Sequence, residues 1–224
     1  MAKRLFDIIF SLLALVLLAP LFVLAAIGIR LSSPGPLLYR ARRVGHNGET
    51  FMMHKFRTMH HRNRAPGSAI TGANDPRVFA IGCYLRKLKI DELPQLYDVL
   101  RGRMSIVGPR PEDPQIVSEH YTTPQRETLR VAPGLASPGS IYNYTHGELM
   151  LDGDDPEKYY IQQLLPVKLA LDVIYVREAS FLYAARVVLR TLWVILSKAV
   201  GRQRFPDPPE MKKARQLLIL NPPG

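Results

Sequence analysis

Two adjacent carboxylates, Asp91 and Glu92, stand in the stretch LKIDELPQLYDVLRG (residues 88–102), just ahead of Pro94 and just after Arg86, Lys87 and Lys89. Such a pair is either an ordinary helix start or a place where one acid acts as a reagent. Helix grammar accounts for much of it. Asp91 suits an N-cap, Pro94 a first turn in which a missing amide costs nothing, and Gly102 a left-handed helix end. The second reading uses the same geometry, because a helix start that holds a carboxylate ionised can also receive a phosphate. Arg86, five residues earlier, could bring a guanidinium to that phosphate. Successive helical residues diverge by about 100°, so Asp91 and Glu92 need not share one task.

Two further places carry cations suited to phosphate. In MSIVGPRPEDP (residues 104–114), Arg110 lies between Pro109 and Pro111. The prolines fix the backbone, so the guanidinium fork is presented with little entropy left to lose, which suits bidentate contact with an anion. A surface turn with a solvated arginine would read the same way. In HKFRTM, Lys55 and Arg57 fall on one face of an expected strand.

The elements that must position these residues follow from patterning. At 224 residues the chain can bury a real core. Thirty Lys and Arg against 19 Asp and Glu give a net charge of +11, which points to a polyanionic partner. Residues 1–64 hold ten of the cations and only two acids, Asp7 and Glu49, so the excess sits beside an apolar run. That placement fits an anionic lipid surface. No groove-reading or base-stacking motif accompanies it, so nucleic acid is not the expected partner. The single cysteine, Cys83, allows no internal disulfide and reads as a small buried residue.

The apolar run, Ile8 to Ile29, is 22 residues long and free of charge. As one helix it would extend about 33 Å and could cross a bilayer core. Two features favour a re-entrant hairpin instead. Pro20 interrupts the run near its middle, and arms of about 15 and 10 residues would each be too short to span. Cations also flank both ends, so the positive-inside rule gives a crossing helix no clear orientation, whereas it is satisfied at once if both ends stay cytoplasmic. Beyond the exit Ser33-Pro34-Gly35-Pro36, residues 36–44 and 49–59 read as two strands around the turn 45–48. Residues 60–76, which include His60 and His61, read as a solvated loop. Helices are expected over 81–88, 92–100, 114–131, from 155 to about 178, and over 181–200. Residues 132–148 are turn-rich. The last helix carries Arg186, Arg190 and Lys198 along one face, a stripe suited to lipid headgroups, and it reads nearly as well as a core helix of the globular part. The proline-rich tail from Gly201 reads as a flexible extension. The expected fold is α+β and mostly helical. It divides into a membrane hairpin over 1–31, a small β-hairpin and amphipathic interfacial helices within a catalytic domain over 32–200, and a tail over 201–224.

The order of these pieces, an N-terminal K-R-x-F-D before the apolar run, then HKFRTM, then LRKLKIDELPQLYDVLRGRMSIVGPRP, resembles the bacterial sugar transferase family. These are small monotopic phosphoglycosyl transferases, and the likeness runs from Lys3 to about Lys198. The resemblance implies transfer of a phospho-sugar from a UDP-sugar to undecaprenyl phosphate with release of UMP, on the cytoplasmic face of a bacterial inner membrane. Asp91 would be the nucleophile of a ping-pong cycle through an aspartyl phospho-sugar, and Glu92 its partner. A magnesium ion held at Asp91 and Glu92 would offset the charge of the diphosphate. Arg110, Arg86, Lys55 and Arg57 would bind phosphate, and a homodimer is compatible with the pattern. Two departures stand out. The family's Ser-Pro helix break is here Ala19-Pro20, and its tryptophan-containing segment is replaced by PGLASPGSIYNYTHGE, so the sugar is not carried over. A membrane-bound hydrolase using the same dyad, and a non-catalytic membrane adaptor, are the competing readings.

Overall fold

The computed structural model describes residues 2–60, 75–147 and 155–220. The architecture is mostly helical with two small sheets. Helices α1 (Ala2–Leu17) and α2 (Ala19–Ser32) meet at Leu18 with a bend of 60°. The break falls two residues before Pro20, which occupies the first turn of α2, where no amide donor is required of it. The arms are therefore more equal than a break at Pro20 itself would make them. Strands β1 (Leu38–Val44) and β2 (Thr50–Phe56) pair antiparallel, with Leu38 opposite Phe56 and Val44 opposite Thr50. Asn47 and Gly48 turn the chain between them with φ of 55° and 81°. Residue 61 and most of the expected loop lie outside the described residues. His60 closes onto Arg77, its amide donating to that carbonyl at 2.9 Å.

Helix α3 (Ala80–Lys87), a 3-10 turn (Ile90–Glu92) and α4 (Gln95–Leu100) carry the acidic pair. The short strands β3 (Ser105–Val107) and β4 (Gly134–Ala136) then pair in parallel. This pairing runs through a stretch whose Gly and Pro content reads as turn. It depends on Gly108 and Gly134, since a Cβ on Gly134 would come within 2.1 Å of the Gly108 nitrogen. Between the strands, the single helix expected over 114–131 is two pieces, α5 (Pro114–His120) and a 3-10 segment (Gln125–Arg130). Pro124 lies between them and disfavours helical backbone before it. The chain continues through α6 (Pro138–Tyr142), α7 (Pro156–Tyr159), α8 (Leu165–Arg177), α9 (Phe181–Ala199) and α10 (Met211–Leu220).

The core gathers α4, β3, β4, α6, α8 and α9 around Leu96, Val99, Ile106, Ile141, Tyr175 and Val187. Helix α1 belongs to it: Phe6 and Phe10 pack in, and the buried Asp7 accepts from the Ser105 hydroxyl at 3.1 Å and the Ile106 amide at 3.0 Å. The Arg4 guanidinium donates to the carbonyls of Val99 and Leu100, satisfying the end of α4 beside Gly102, whose φ is 77°.

Three expectations from the sequence are corrected here. Cys83 is exposed rather than buried. The tail is not a loose extension throughout, because α10 buries Met211 and Ala214 against Ala170 and Leu171 of α8. In α9, Arg190 turns inward to pair with Glu210 and Lys198 donates to the Tyr144 carbonyl at 2.6 Å. Only Arg186 of that stripe is exposed, and the outward face of α9 is apolar, with Phe181, Leu189, Trp193 and Leu196 in solvent.

Candidate active site

Lys89 adopts left-handed backbone, φ 56°, and this reversal after α3 throws Asp91 and Glu92 onto the 3-10 turn. Asp91 is therefore not the N-cap of α4. That helix starts at Gln95, after Pro94, and no side chain caps it. The turn is internally bonded, Glu92 N–H to the Lys89 carbonyl and Leu93 N–H to the Ile90 carbonyl, both at 3.2 Å. Asp91 and Glu92 are buried at 6% and 7% exposure, an unusual depth for two adjacent acids.

Their surroundings differ sharply. Arg110 grips Glu92 with both branches of its fork, Nη1 to Oε2 at 2.8 Å and Nη2 to Oε1 at 2.6 Å. Lys55 of β2 and Lys89 stand 4.0 and 3.9 Å from Glu92 Oε1. Burial alone would push the Glu92 carboxyl up, but these three cations override it and hold it well below the usual carboxylate range. Asp91 goes the other way. Burial and the neighbouring Glu92 charge push its carboxyl above the usual range, with Lys55, Lys89 and Arg86 only partly opposing. Its Oδ1 is buried and makes no hydrogen bond. The site thus holds one clamped carboxylate and one only partly compensated. Burial and the Arg110 charge bring the Lys55 ammonium down to about 8, against the pull of Glu92.

Of the phosphate-binding residues expected from sequence, the structure brings Arg110 and Lys55 to the dyad. Arg86, half-buried on α3, lies within electrostatic reach of Asp91. Arg57 is not brought there. Its guanidinium donates to the Pro36 carbonyl at 2.6 Å, the Ser33 carbonyl at 2.7 Å and the Ser33 hydroxyl at 2.8 Å, tying the end of α2 to the end of β2. Alternation along β2 does not extend past Phe56, where the strand ends, so the same-face expectation fails at Arg57.

Lys89, Glu92 and Arg110 form the polar rim of a cavity of about 210 Å³, and Asp91 lies just outside its lining. The walls are apolar, with Phe10 from α1, Leu96 and Ile106 from the core, and Val188, Leu192 and Ile195 from α9. The replaced segment supplies another wall through Ile141, Asn143 and Tyr144. The Tyr144 ring receives two ammonium groups, Lys89 at 4.3 Å and Lys198 at 3.9 Å from its centre. Lys198 enters the site only through folding, since nothing in its local sequence links it to the dyad. An apolar ligand with a charged head fits these walls and this rim better than a wholly polar one.

The family model for bacterial sugar transferases matches residues 1–198. The chain belongs to this family. Among its relatives is the undecaprenyl-phosphate glucose phosphotransferase of Komagataeibacter xylinus, 38% identical over 200 residues, covering 85% of this chain and 35% of that protein. The UDP-glucose:undecaprenyl-phosphate glucose-1-phosphate transferase of Caulobacter vibrioides is 36% identical, covering 87% and 70%. The exopolysaccharide production protein ExoY of Sinorhizobium fredii is also 36% identical, covering 85% and 84%. The chain thus spans about a third of the first relative and most of the other two. Family membership extends over the dyad turn, the Arg110 segment and α9, the elements that build the cavity.

Magnesium is expected from the family resemblance. Among the described residues no group of three or more His, Cys, Asp or Glu could hold a metal. Glu92 has both oxygens committed to Arg110, which leaves Asp91, whose Oδ1 has no hydrogen-bond partner, as the acid of the pair open to a cation. That fits a magnesium ion arriving with a diphosphate, an ion that commonly takes one or two carboxylates and completes its shell with phosphate and water.

Proposed function

We propose that the protein transfers a sugar phosphate from a nucleotide sugar, a UDP-sugar in the first instance, to a polyprenyl phosphate such as undecaprenyl phosphate. The observation that carries this is the joining of the clamped dyad to an apolar cavity walled by α1 and α9. An acceptor with a phosphate head and a hydrocarbon tail would place its head at Arg110 and Lys89 and its tail along that wall. The names of the relatives support the donor and acceptor classes.

In the first half-reaction, an Asp91 oxygen attacks the sugar-bearing phosphorus and the bond to the UMP oxygen breaks. In the second, an oxygen of the polyprenyl phosphate attacks the same phosphorus and Asp91 leaves. A carboxylate nucleophile divides one displacement between two polyanions into two easier steps. Arg110 stabilises charge on the phosphoryl oxygens, and in reaching them it must share or release Glu92. Lys55 and Lys89 remain beside Glu92 when it does, so the second carboxylate stays compensated. Bound magnesium would neutralise diphosphate charge beside Asp91.

The test is a panel of UDP-sugars with Mg²⁺ and undecaprenyl phosphate, followed for UMP and glycolipid, with mass spectrometry of protein quenched without acceptor. A phospho-sugar adduct on Asp91 is expected, and Asp91→Asn should abolish both adduct and turnover. Normal turnover by D91N would refute the nucleophile. Repeated UMP release without acceptor, and no glycolipid, would identify a hydrolase instead.

A further inference from the structure

The segment carrying Arg110 is held from helix α8 by two charged side chains that are almost fully buried. Lys168 is 2% exposed and Asp172 0%, and they lie one helical turn apart on one face. Lys168 Nζ donates to Glu112 Oε2 and to the Tyr160 hydroxyl, each at 2.6 Å, and the Tyr160 hydroxyl donates to the same Glu112 oxygen. Glu112 is two residues beyond Arg110, and its carbonyl accepts from the Val44 amide at 2.9 Å, so the exit of the Pro-Arg-Pro segment is fixed to both α8 and β1. Asp172 Oδ1 accepts from the Gly139 amide at 2.8 Å. Its Oδ2 makes no hydrogen bond, and the strand leading into the 137–139 turn is bonded to the Arg110 segment, the Gly134 amide donating to the Pro109 carbonyl at 2.8 Å. Gly139 has no room for a side chain, because a Cβ there would stand 2.4 Å from the Lys168 carbonyl oxygen and 2.7 Å from Asp172 Oδ1.

A buried carboxylate with an unsatisfied oxygen is costly to the fold. Burial pushes Asp172 up to about 6, and the dipoles of Gly139, Ser137 and Arg110 recover only part of that cost. For stability alone a neutral side chain of the same shape would serve as well or better. What these two groups share is the segment they hold.

We propose that Lys168 and Asp172 are positioning residues for Arg110. Lys168 acts through Glu112, two residues beyond the arginine, and Asp172 acts through the 137–139 turn and the β4 strand that is bonded to Pro109. Between them they place the guanidinium fork against the dyad. The inference rests on the assignment of Arg110 to substrate phosphate, and it adds that α8, which contributes no lining residue to the cavity, sets the geometry of the site.

Two readouts on the full chain in lipid nanodiscs test it: UMP release, and hydrogen exchange of peptides covering 105–113. Asp172→Asn keeps size and the acceptor for Gly139 but removes the charge that holds the 137–139 turn. The pair Lys168→Met with Glu112→Gln avoids leaving one buried charge without its partner. Both variants should keep the melting temperature within a few degrees. Both should lose at least tenfold in kcat/KM and exchange at least threefold faster over 105–113, with the β1–β2 hairpin unchanged. In an Arg110→Ala background either change should cost less than threefold more, because the route runs through that arginine. Retained activity in both variants, unchanged exchange over 105–113, losses that multiply in the R110A background, or a general collapse of the melting temperature would each overturn the inference. An inactive wild-type protein would refute the proposed function, and the exchange readout would still judge the positioning.

Discussion

Arg110 closes on both oxygens of Glu92, leaving Asp91 the acid of the pair with an unpartnered oxygen, and this asymmetry sets the two adjacent acids apart. It also sets a pH dependence. As the proposed nucleophile, Asp91 would have to be ionised, and its carboxyl lies above the usual range, so kcat/KM should climb as pH rises through that raised value. Lys55 sheds its proton near 8, so a second, descending limb is expected as pH passes that point. Lys55→Arg keeps the charge, and its descending limb should move up by more than a unit in a pH–rate profile of UMP release. An unshifted limb would remove Lys55 from phosphate binding. Arg110→Ala should cost roughly 10²–10³ in kcat, the usual loss when a charge-stabilising donor is removed, and Arg110→Lys should recover little because a point charge cannot replace the fork.

At the level of elements, the expectations that hold are those carried by period and punctuation. The β1–β2 hairpin, α3 and α9 appear within a few residues of where alternation and helical spacing place them, and Gly102 ends α4 as expected. What sequence does not reveal depends on distant partners. The parallel β3–β4 pair is six residues held by a crossover of more than 25, with no local pattern to announce it. The dyad reads as a helix start because nothing in DELP distinguishes a cap from a 3-10 turn until Lys89 turns left-handed. Arg57 shows the same limit: its type suggested phosphate, whereas its partners are the carbonyls of Ser33 and Pro36. Arg57→Ala should therefore act on stability. It removes several hydrogen bonds of a buried guanidinium, about 1.5–3 kcal/mol each at most, and so should lower the melting temperature by several degrees. The fraction that stays folded should turn over normally. A folded R57A with wild-type stability and a raised KM would return Arg57 to the substrate.

For the whole molecule, the question is how the apolar faces of α1, α2 and α9 sit relative to a bilayer. No single helix among the described residues is long and apolar enough to cross a membrane, whereas the bent α1–α2 pair is so by length and composition. At about 1.5 Å per residue, the two arms reach roughly 24 and 21 Å, each short of a bilayer core near 30 Å. Both ends of the pair return to the same body. Arg4 and Asp7 bind the end of α4 and the start of β3, while Ser33 is held by Arg57 and Ile29 packs against the cluster of Phe56, Phe79 and Leu85. With both ends of the pair bound to the same body, threading a membrane between them would tear those contacts, which favours the re-entrant arrangement. The exposed side chains point to the same arrangement, since Leu12, Val16, Leu24 and Ile27 of the pair and Leu189, Trp193 and Leu196 of α9 remain uncovered. We therefore expect a re-entrant hairpin dipping into one leaflet, with α9 lying at its surface and the cavity opening at headgroup depth. Cysteine tags at the N-terminus and just after Arg30, in a Cys83→Ser background, should both react with an impermeant reagent from the cytoplasmic side only. Labelling of the two sites from opposite faces would establish a spanning helix, and with it a separation of Arg4 from α4.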